Sequence, residues 1–398
     1  MKERLRRLEW FAWIVQPILT ALRGFNHRVF AALSFVVPKD PRLLLFGGPS
    51  NGNSKAVYEY CRRHCPGTAL CWVSPYESTD RVAELEPLYV DRRSWWALWV
   101  TLRAKFIFVN HQAAELCEYP LRGRFPVVQL WHGSPIKKIL FDSQEFYENR
   151  TPGQLDLLRA EFRTYQLVVA TSEAMARVMA SAFRVVDPAR IKVLGLPRND
   201  ALFDAPTPRP AELQGFDRVV LYAPTFRDSG RKPDFLFDPR QRARLAAALE
   251  EQKTLLLLKP HRLERDLYRE LPSDRPFAQQ FGKTDFDVVE LFPHVDVLVT
   301  DYSSIASDFG LTGKPMIFFP WDLDAYLREC REVYFDYTAL VPGPIVRDLG
   351  EFLDLLPQLD RIAADPAYRQ RYAEFVSFFH THRDGNSTRR VLEELRIV

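Results

Sequence analysis

Three stretches of this sequence place chemically capable side chains directly after short apolar runs. The first, Gln129 to Lys138, reads QLWHGSPIKK. His132 follows a run ending at Leu130, and a histidine in such a place is the usual group for taking a proton from an alcohol near neutral pH. Gly133 lets a ligand approach the backbone, while Ser134, Lys137 and Lys138 add a hydroxyl and positive charge. A histidine that only caps a strand end would read the same. The second stretch, LLLLKPHRLERD from Leu255 to Asp266, delivers Lys259, His261 and Arg262 from a strand of leucines. Three cations at one strand end suit a phosphate, or form a solvated basic turn.

The third stretch, VLVTDYSSIASDFGLTGKPMIFF from Val297 to Phe319, brings Thr300, Asp301, Tyr302, Ser303 and Ser304 to a turn that opens a helix. Unpaired amides at a helix start, with adjacent hydroxyls, suit an anion, so Ser303 and Ser304 are expected to hold a diphosphate. Asp301 or Ser303 could equally cap the helix. Two weaker pieces are YAPTFRD, with Thr225 and Arg227 near the same edge, and HRDGNSTRRV close to the carboxyl end. The loop GGPSNGNS lacks the lysine of a P-loop and the spacing of a dinucleotide turn, and its Asn53 is placed with Gly133, Ser134 and Lys137 on the acceptor side. Asp322 and Asp324 follow the last strand and read as a loop capping a helix. No Asp-x-Asp pair follows a strand in the first half, so no metal or other cofactor is expected.

Strands and helices must position these groups. The runs Leu43–Phe46, Leu70–Val73, Phe106–Asn110, Pro126–Leu130 and Leu167–Ala170 alternate with helical stretches, and a run at Val193 precedes GLPRND. The proline-dense DAPTPRP, Asp204 to Pro210, marks a boundary. Alternation then restarts with strands at Arg218–Tyr222, Thr254–Lys259, Val295–Thr300 and Pro315–Phe319. Short apolar strands between helices imply parallel sheets covered on both faces, with ligands at the carboxyl ends of the strands. The expected class is α/β, with two Rossmann-like domains facing across a cleft. The expected parts are a basic and apolar segment over 1–40, an acceptor-side domain over 41–205, a donor-binding domain over 206–375 and a final helix over 376–398.

Composition agrees with a globular enzyme. The 398 residues are 47% hydrophobic and 26% charged, which excludes disorder as the main state. A formal charge of +3 is too small to argue for nucleic acid. The five cysteines, Cys61, Cys65, Cys71, Cys117 and Cys330, show neither zinc spacing nor a disulfide framework. In WFAWIVQPILTAL, Trp10 to Leu22, Pro17 interrupts an apolar run too short to span a bilayer. Flanked by arginines, it suits the surface of an anionic membrane or a helix packed on the enzyme itself.

With these pieces in order, the chain resembles the CDP-glycerol glycerophosphotransferase family, which includes teichoic-acid primases and polymerases. The resemblance rests on WHGSPIKK, YAPTFRD, the His261 strand end, TDYSSIASDF with GKPMIFF, and DGNSTRRV. It implies a glycosyltransferase-B fold and a CDP-glycerol donor held mainly by the second domain. It further implies a membrane-linked glycopolymer acceptor and work at the cytoplasmic face of a bacterial membrane. By this resemblance His132 and His261 are the catalytic pair, Ser303 and Ser304 hold the diphosphate, and Asp301 supports their turn or reaches the glycerol. The arginine-rich composition leaves teichoic acid, capsule or another glycopolymer open as acceptor, and homo-oligomerisation is open too. The competing readings are a CDP-ribitol or other CDP-polyol enzyme, a nucleotide-sugar glycosyltransferase, and a catalytically idle assembly protein at the membrane.

Overall fold

The computed structural model describes residues 27–48, 51–74, 88–92, 94–116, 121–205, 208–227, 232–261, 264–269, 271, 276–279, 287–323, 326 and 332–398. Apolar runs of three to six residues form two parallel sheets. The first comprises β1 (Leu43–Gly47), β2 (Ala69–Ser74), β3 (Leu88–Asp91), β4 (Phe106–Val109), β5 (Val127–Gln129), β6 (Tyr165–Ala170) and β7 (Ile191–Val193), in the order β3-β2-β1-β4-β5-β6-β7. The second comprises β8 (Arg218–Ala223), β9 (Thr254–Leu258), β10 (Phe277–Gln279), β11 (Val297–Thr300) and β12 (Met316–Phe318), in the order β10-β9-β8-β11-β12. Every residue of β9 and β11 is buried, as parallel strands covered on both faces require.

The helices that matter below are α1 (Gly52–His64), α2 (Trp95–Arg103), α3 (Glu173–Phe183), α4 (Pro239–Glu251), α5 (Ile305–Gly310), α6 (Pro366–Phe379) and α7 (Ser387–Glu394). Their starts follow capping rules: Ser94, Ser172 and Asp238 each accept a backbone N–H of the first turn of α2, α3 and α4, and proline stands at the start of α4 and α6. Leu245 and Leu249 of α4 pack with Leu256, Leu258, Val297 and Val299 in the core around the second sheet.

The sheets change over between β7 and β8, on either side of the proline-rich 204–210 stretch. The compact units divide elsewhere. One holds residues 1–50, 61–130 and 151–167, the other residues 51–60, 131–150 and 168–398. Residues 168–205, expected in the first domain, therefore cluster with the second unit. Cys61, Cys65 and Cys71 are buried and unbridged, while Cys117, Cys330 and the Trp10–Leu22 run lie outside the described residues. Among the described residues no helix is long and apolar enough to cross a membrane, and no cluster of His, Cys, Asp or Glu has the makings of a metal site.

Candidate active site

In the second sheet β8 lies between β9 and β11, so the turns leaving these three parallel strands share one edge. Asp301, 1% exposed, ties two of them together. Its Oδ1 accepts the Thr225 amide at 2.9 Å and its Oδ2 accepts Arg227 Nη2 at 2.7 Å. Asp322 accepts Arg227 Nε at 2.6 Å, Arg227 Nη2 at 2.9 Å and the Tyr302 hydroxyl at 3.3 Å. Arg227 Nη1 donates to the Thr225 carbonyl at 2.7 Å, and the rings of Tyr302, Trp321 and Tyr326 lie 5.2, 5.3 and 4.9 Å from its guanidinium carbon. Burial opposes the charge on Arg227, but Asp301 and Asp322 more than offset that, and its pKa is raised.

This geometry corrects two expectations. Arg227 is the buried centre of the scaffold under the Ser303 turn, its donors committed to protein oxygens rather than to a phosphate. Asp322 stands directly ahead of helical Leu323, its carbonyl accepting the Tyr326 amide at 2.8 Å, and its carboxylate also holds that arginine; Asp324 lies outside the described residues. Thr300 is wholly buried and its hydroxyl donates to the Ala223 carbonyl at 2.7 Å, so it joins strands instead of facing a ligand. Asp301 itself holds the turn after β8, through Thr225 and Arg227. Thr225 is different. Its hydroxyl is buried without a hydrogen-bond partner among the described residues, which leaves it able to meet a water or a ligand. Ser303 and Ser304 are half-buried just ahead of α5, and Ser303 Oγ accepts the Ile305 amide at 3.4 Å. Lys259, half-buried, and exposed His261 follow β9; the imidazole lies 5.5 Å from the Phe226 ring. Arg262 lies outside the described residues.

The His132 turn belongs to the same compact unit. Trp131 has φ +59° and Gly133 φ +152°, and a left-handed tryptophan is uncommon enough to suggest a conformation imposed for a purpose. Trp131 packs edge-on against Phe183 of α3, with ring centroids 5.5 Å apart, while His132 is exposed. At Gly133 a Cβ atom would lie 2.8 Å from Ser304 Oγ and 3.8 Å from Arg198 Nη2. The turn carrying the candidate base therefore rests directly on the turn carrying the serines. What approaches Gly133 is Ser304, where the sequence suggested only a ligand.

Two more expectations are corrected here. Ser134 is 1% exposed and its hydroxyl meets Thr171 Oγ1 at 3.0 Å. Asn53, fully buried, donates from Nδ2 to the Trp131 carbonyl at 2.8 Å and accepts the Arg198 amide on Oδ1 at 2.9 Å. Neither faces an acceptor. Lys137 lies over the Tyr326 ring at 5.9 Å, close to the Arg227 scaffold. Sequence reasoning passed over Arg198, Asn199 and Asp308. Arg198 Nη2 and Asn199 Nδ2 donate to the two oxygens of fully buried Asp308 on α5, the latter at 2.8 Å, and Arg198 Nη1 lies 3.7 Å from Asp287. Arg198 and Asp308 are 110 residues apart, and no local signal pairs them.

Residues 29–396 match the family described as CDP-glycerol:poly(glycerophosphate) glycerophosphotransferase. The chain belongs to that family. It is 28% identical to a teichoic acid glycerol-phosphate transferase of Staphylococcus aureus, across 94% of this chain and 98% of that protein. It is 27% identical to a teichoic acid poly(ribitol-phosphate) polymerase of Bacillus spizizenii, across 96% of this chain and 60% of that longer protein. Among solved structures, the wall teichoic acid polymerase TagF matches with a TM-score of 0.76 at 23% identity, covering 96% of this chain and 97% of that one. That likeness shows the fold, the two-sheet glycosyltransferase-B architecture. A UDP-GlcNAc 2-epimerase from Neisseria meningitidis also matches, with a TM-score of 0.53 at 13% identity over 89% of this chain and 99% of that one. The fold alone thus does not choose the chemistry.

Proposed function

We propose that this family member transfers glycerol phosphate from CDP-glycerol to a hydroxyl of a membrane-linked glycopolymer and releases CMP. The observation that carries the reading is the contact of Gly133 with Ser304. It brings the backbone next to His132 against Ser304 within one unit, which supports a site shared by the two turns. The acceptor oxygen attacks the phosphorus bearing glycerol, and the bond from that phosphorus to the CMP oxygen breaks in line. His132 takes the hydroxyl proton, a role that contributes on the order of 10²–10⁴ in rate. Ser303, Ser304 and the Thr225 hydroxyl donate to the diphosphate oxygens, and Lys259 with His261 and Arg262 balances charge building on the phosphoryl group and on departing CMP. Positioning and preorganised charge carry most of the acceleration in such transfers. No metal has a role in this scheme.

A peripheral place on the inner face of an anionic membrane completes the reading. On α2, Trp95, Trp96 and Trp99 are 83%, 51% and 43% exposed, and the helical stretch 27–36 exposes Val29, Leu33, Phe35 and Val36. Val29, Phe30, Leu33, Trp95, Trp99 and neighbours line an apolar cavity of about 200 Å³, and Arg103 lies 5.7 Å over the Trp99 ring. Exposed aromatics beside cations suit a headgroup interface better than water. The enzymatic reading is tested by supplying the purified protein with CDP-glycerol, CDP-ribitol and UDP-sugars in parallel. CMP is expected from CDP-glycerol. Turnover of CDP-ribitol alone would exchange the polyol, and UDP release alone would overturn phosphate transfer.

A further inference from the structure

The exposed imidazole of His132 is projected by a backbone that does not hold itself. A left-handed Trp131 is strained and persists only where its surroundings over-determine it. One restraint is the packing of its ring on Phe183. The other runs through Asn53, which holds the Trp131 carbonyl with one end of its amide and the Arg198 backbone N–H with the other. Arg198 is the anchor of that brace. Its guanidinium lies beside Gly133 and is bound to Asp308 on α5, the helix that begins immediately after Ser304. Asp287 stands on its other side at 3.7 Å. Two carboxylates around one guanidinium leave no net positive charge for a phosphate, which argues for a mechanical task rather than a ligand-binding one. Burial disfavours the cation, Asp308 and Asp287 outweigh that, and Arg198 stays charged with a raised pKa.

We propose that Arg198, acting through Asn53, is a positioning residue that locks the Trp131–Gly133 turn onto α5 and so fixes His132 relative to Ser304. The proposal rests on the phosphotransfer reading above. It identifies a residue whose contribution passes through His132, since Arg198 itself donates to carboxylates of the protein. Displacing a reacting group by about 1 Å can cost roughly 10² in rate, so a loosened brace is felt mainly in kcat.

A double-mutant cycle on CMP release at saturating CDP-glycerol, with a membrane-linked glycopolymer supplying the acceptor hydroxyl, tests it. Arg198→Gln is expected to lower kcat at least about tenfold in the wild-type background. In the His132→Ala background, where no base remains to be positioned, it is expected to change the residual rate less than about twofold. Equal losses in both backgrounds would mean a general structural effect, and a normal rate for the single variant would mean no effect; either overturns the proposal. Should Arg198→Gln fail to fold, Arg198→Lys carries the same cycle, because it keeps a cation between Asp308 and Asp287 and loses the guanidinium fork. Wild-type protein that releases no CMP, or a His132→Ala variant with normal turnover, would instead remove the underlying reaction scheme. A cycle that fails on an otherwise active enzyme removes only the brace.

Discussion

Replacing Gly133 with alanine probes the contact on which the site depends. The added Cβ would meet Ser304 Oγ at 2.8 Å and Ser304 Cβ at 3.3 Å, where ordinary contact begins at 3.4 Å. Relief therefore needs a shift of about 0.6 Å between the two turns (3.4 less 2.8). Alanine at φ +152° adds backbone strain of about 1–3 kcal/mol. If roughly 1 Å of misplacement costs about 10², a shift of this size lowers kcat by about tenfold. The melting temperature should drop by several degrees. Initial rates of CMP release over a range of CDP-glycerol concentrations, beside thermal melts, give both numbers. Adding Ser304→Ala removes the 2.8 Å contact and should restore part of the melting temperature without restoring the rate. A folded Gly133→Ala protein with kcat within twofold of wild type would refute the claim that the two turns form one site.

Other consequences are simpler to check. His132→Ala should fold normally and lose at least about tenfold in CMP release, as expected of a general base; near-normal turnover would take His132 out of the mechanism. EDTA should leave turnover unchanged if amides, hydroxyls and cations alone hold the phosphates, and abolished activity would bring a metal into the scheme. Changing Trp95, Trp96 and Trp99 together to serine, or deleting residues up to about Pro38, should release the protein from anionic liposomes in flotation. Undiminished flotation of both variants would reject the membrane face.

Much of the architecture is legible in the sequence because buried parallel strands are nearly continuous apolar runs, as LLLL in β9 and VLV in β11 illustrate. The two strands the sequence reading passes over, β3 and β10, are both sheet edges, where LYVD and FAQ are short and of mixed polarity. Val288–His294 forms a 3₁₀ helix with Pro293 inside it. Within the site, motif reading finds the turns but not the direction of each side chain. Thr300 ends β11 and lies wholly inside the sheet, whereas Ser303 and Ser304 stand in the turn beyond it and are only half-buried. Pairings across long separations are the harder part. Arg227 with Asp322 and Arg198 with Asp308 are each formed by folding from segments about a hundred residues apart. Composition and spacing carry no trace of them.

What distinguishes this account from a sugar transfer on the same fold is the fate of one phosphorus atom. CDP-glycerol labelled in the phosphate that bears glycerol, incubated with enzyme and a membrane acceptor, should yield labelled polymer and unlabelled CMP. Label left on a released nucleoside diphosphate, with glycerol alone transferred, would contradict it.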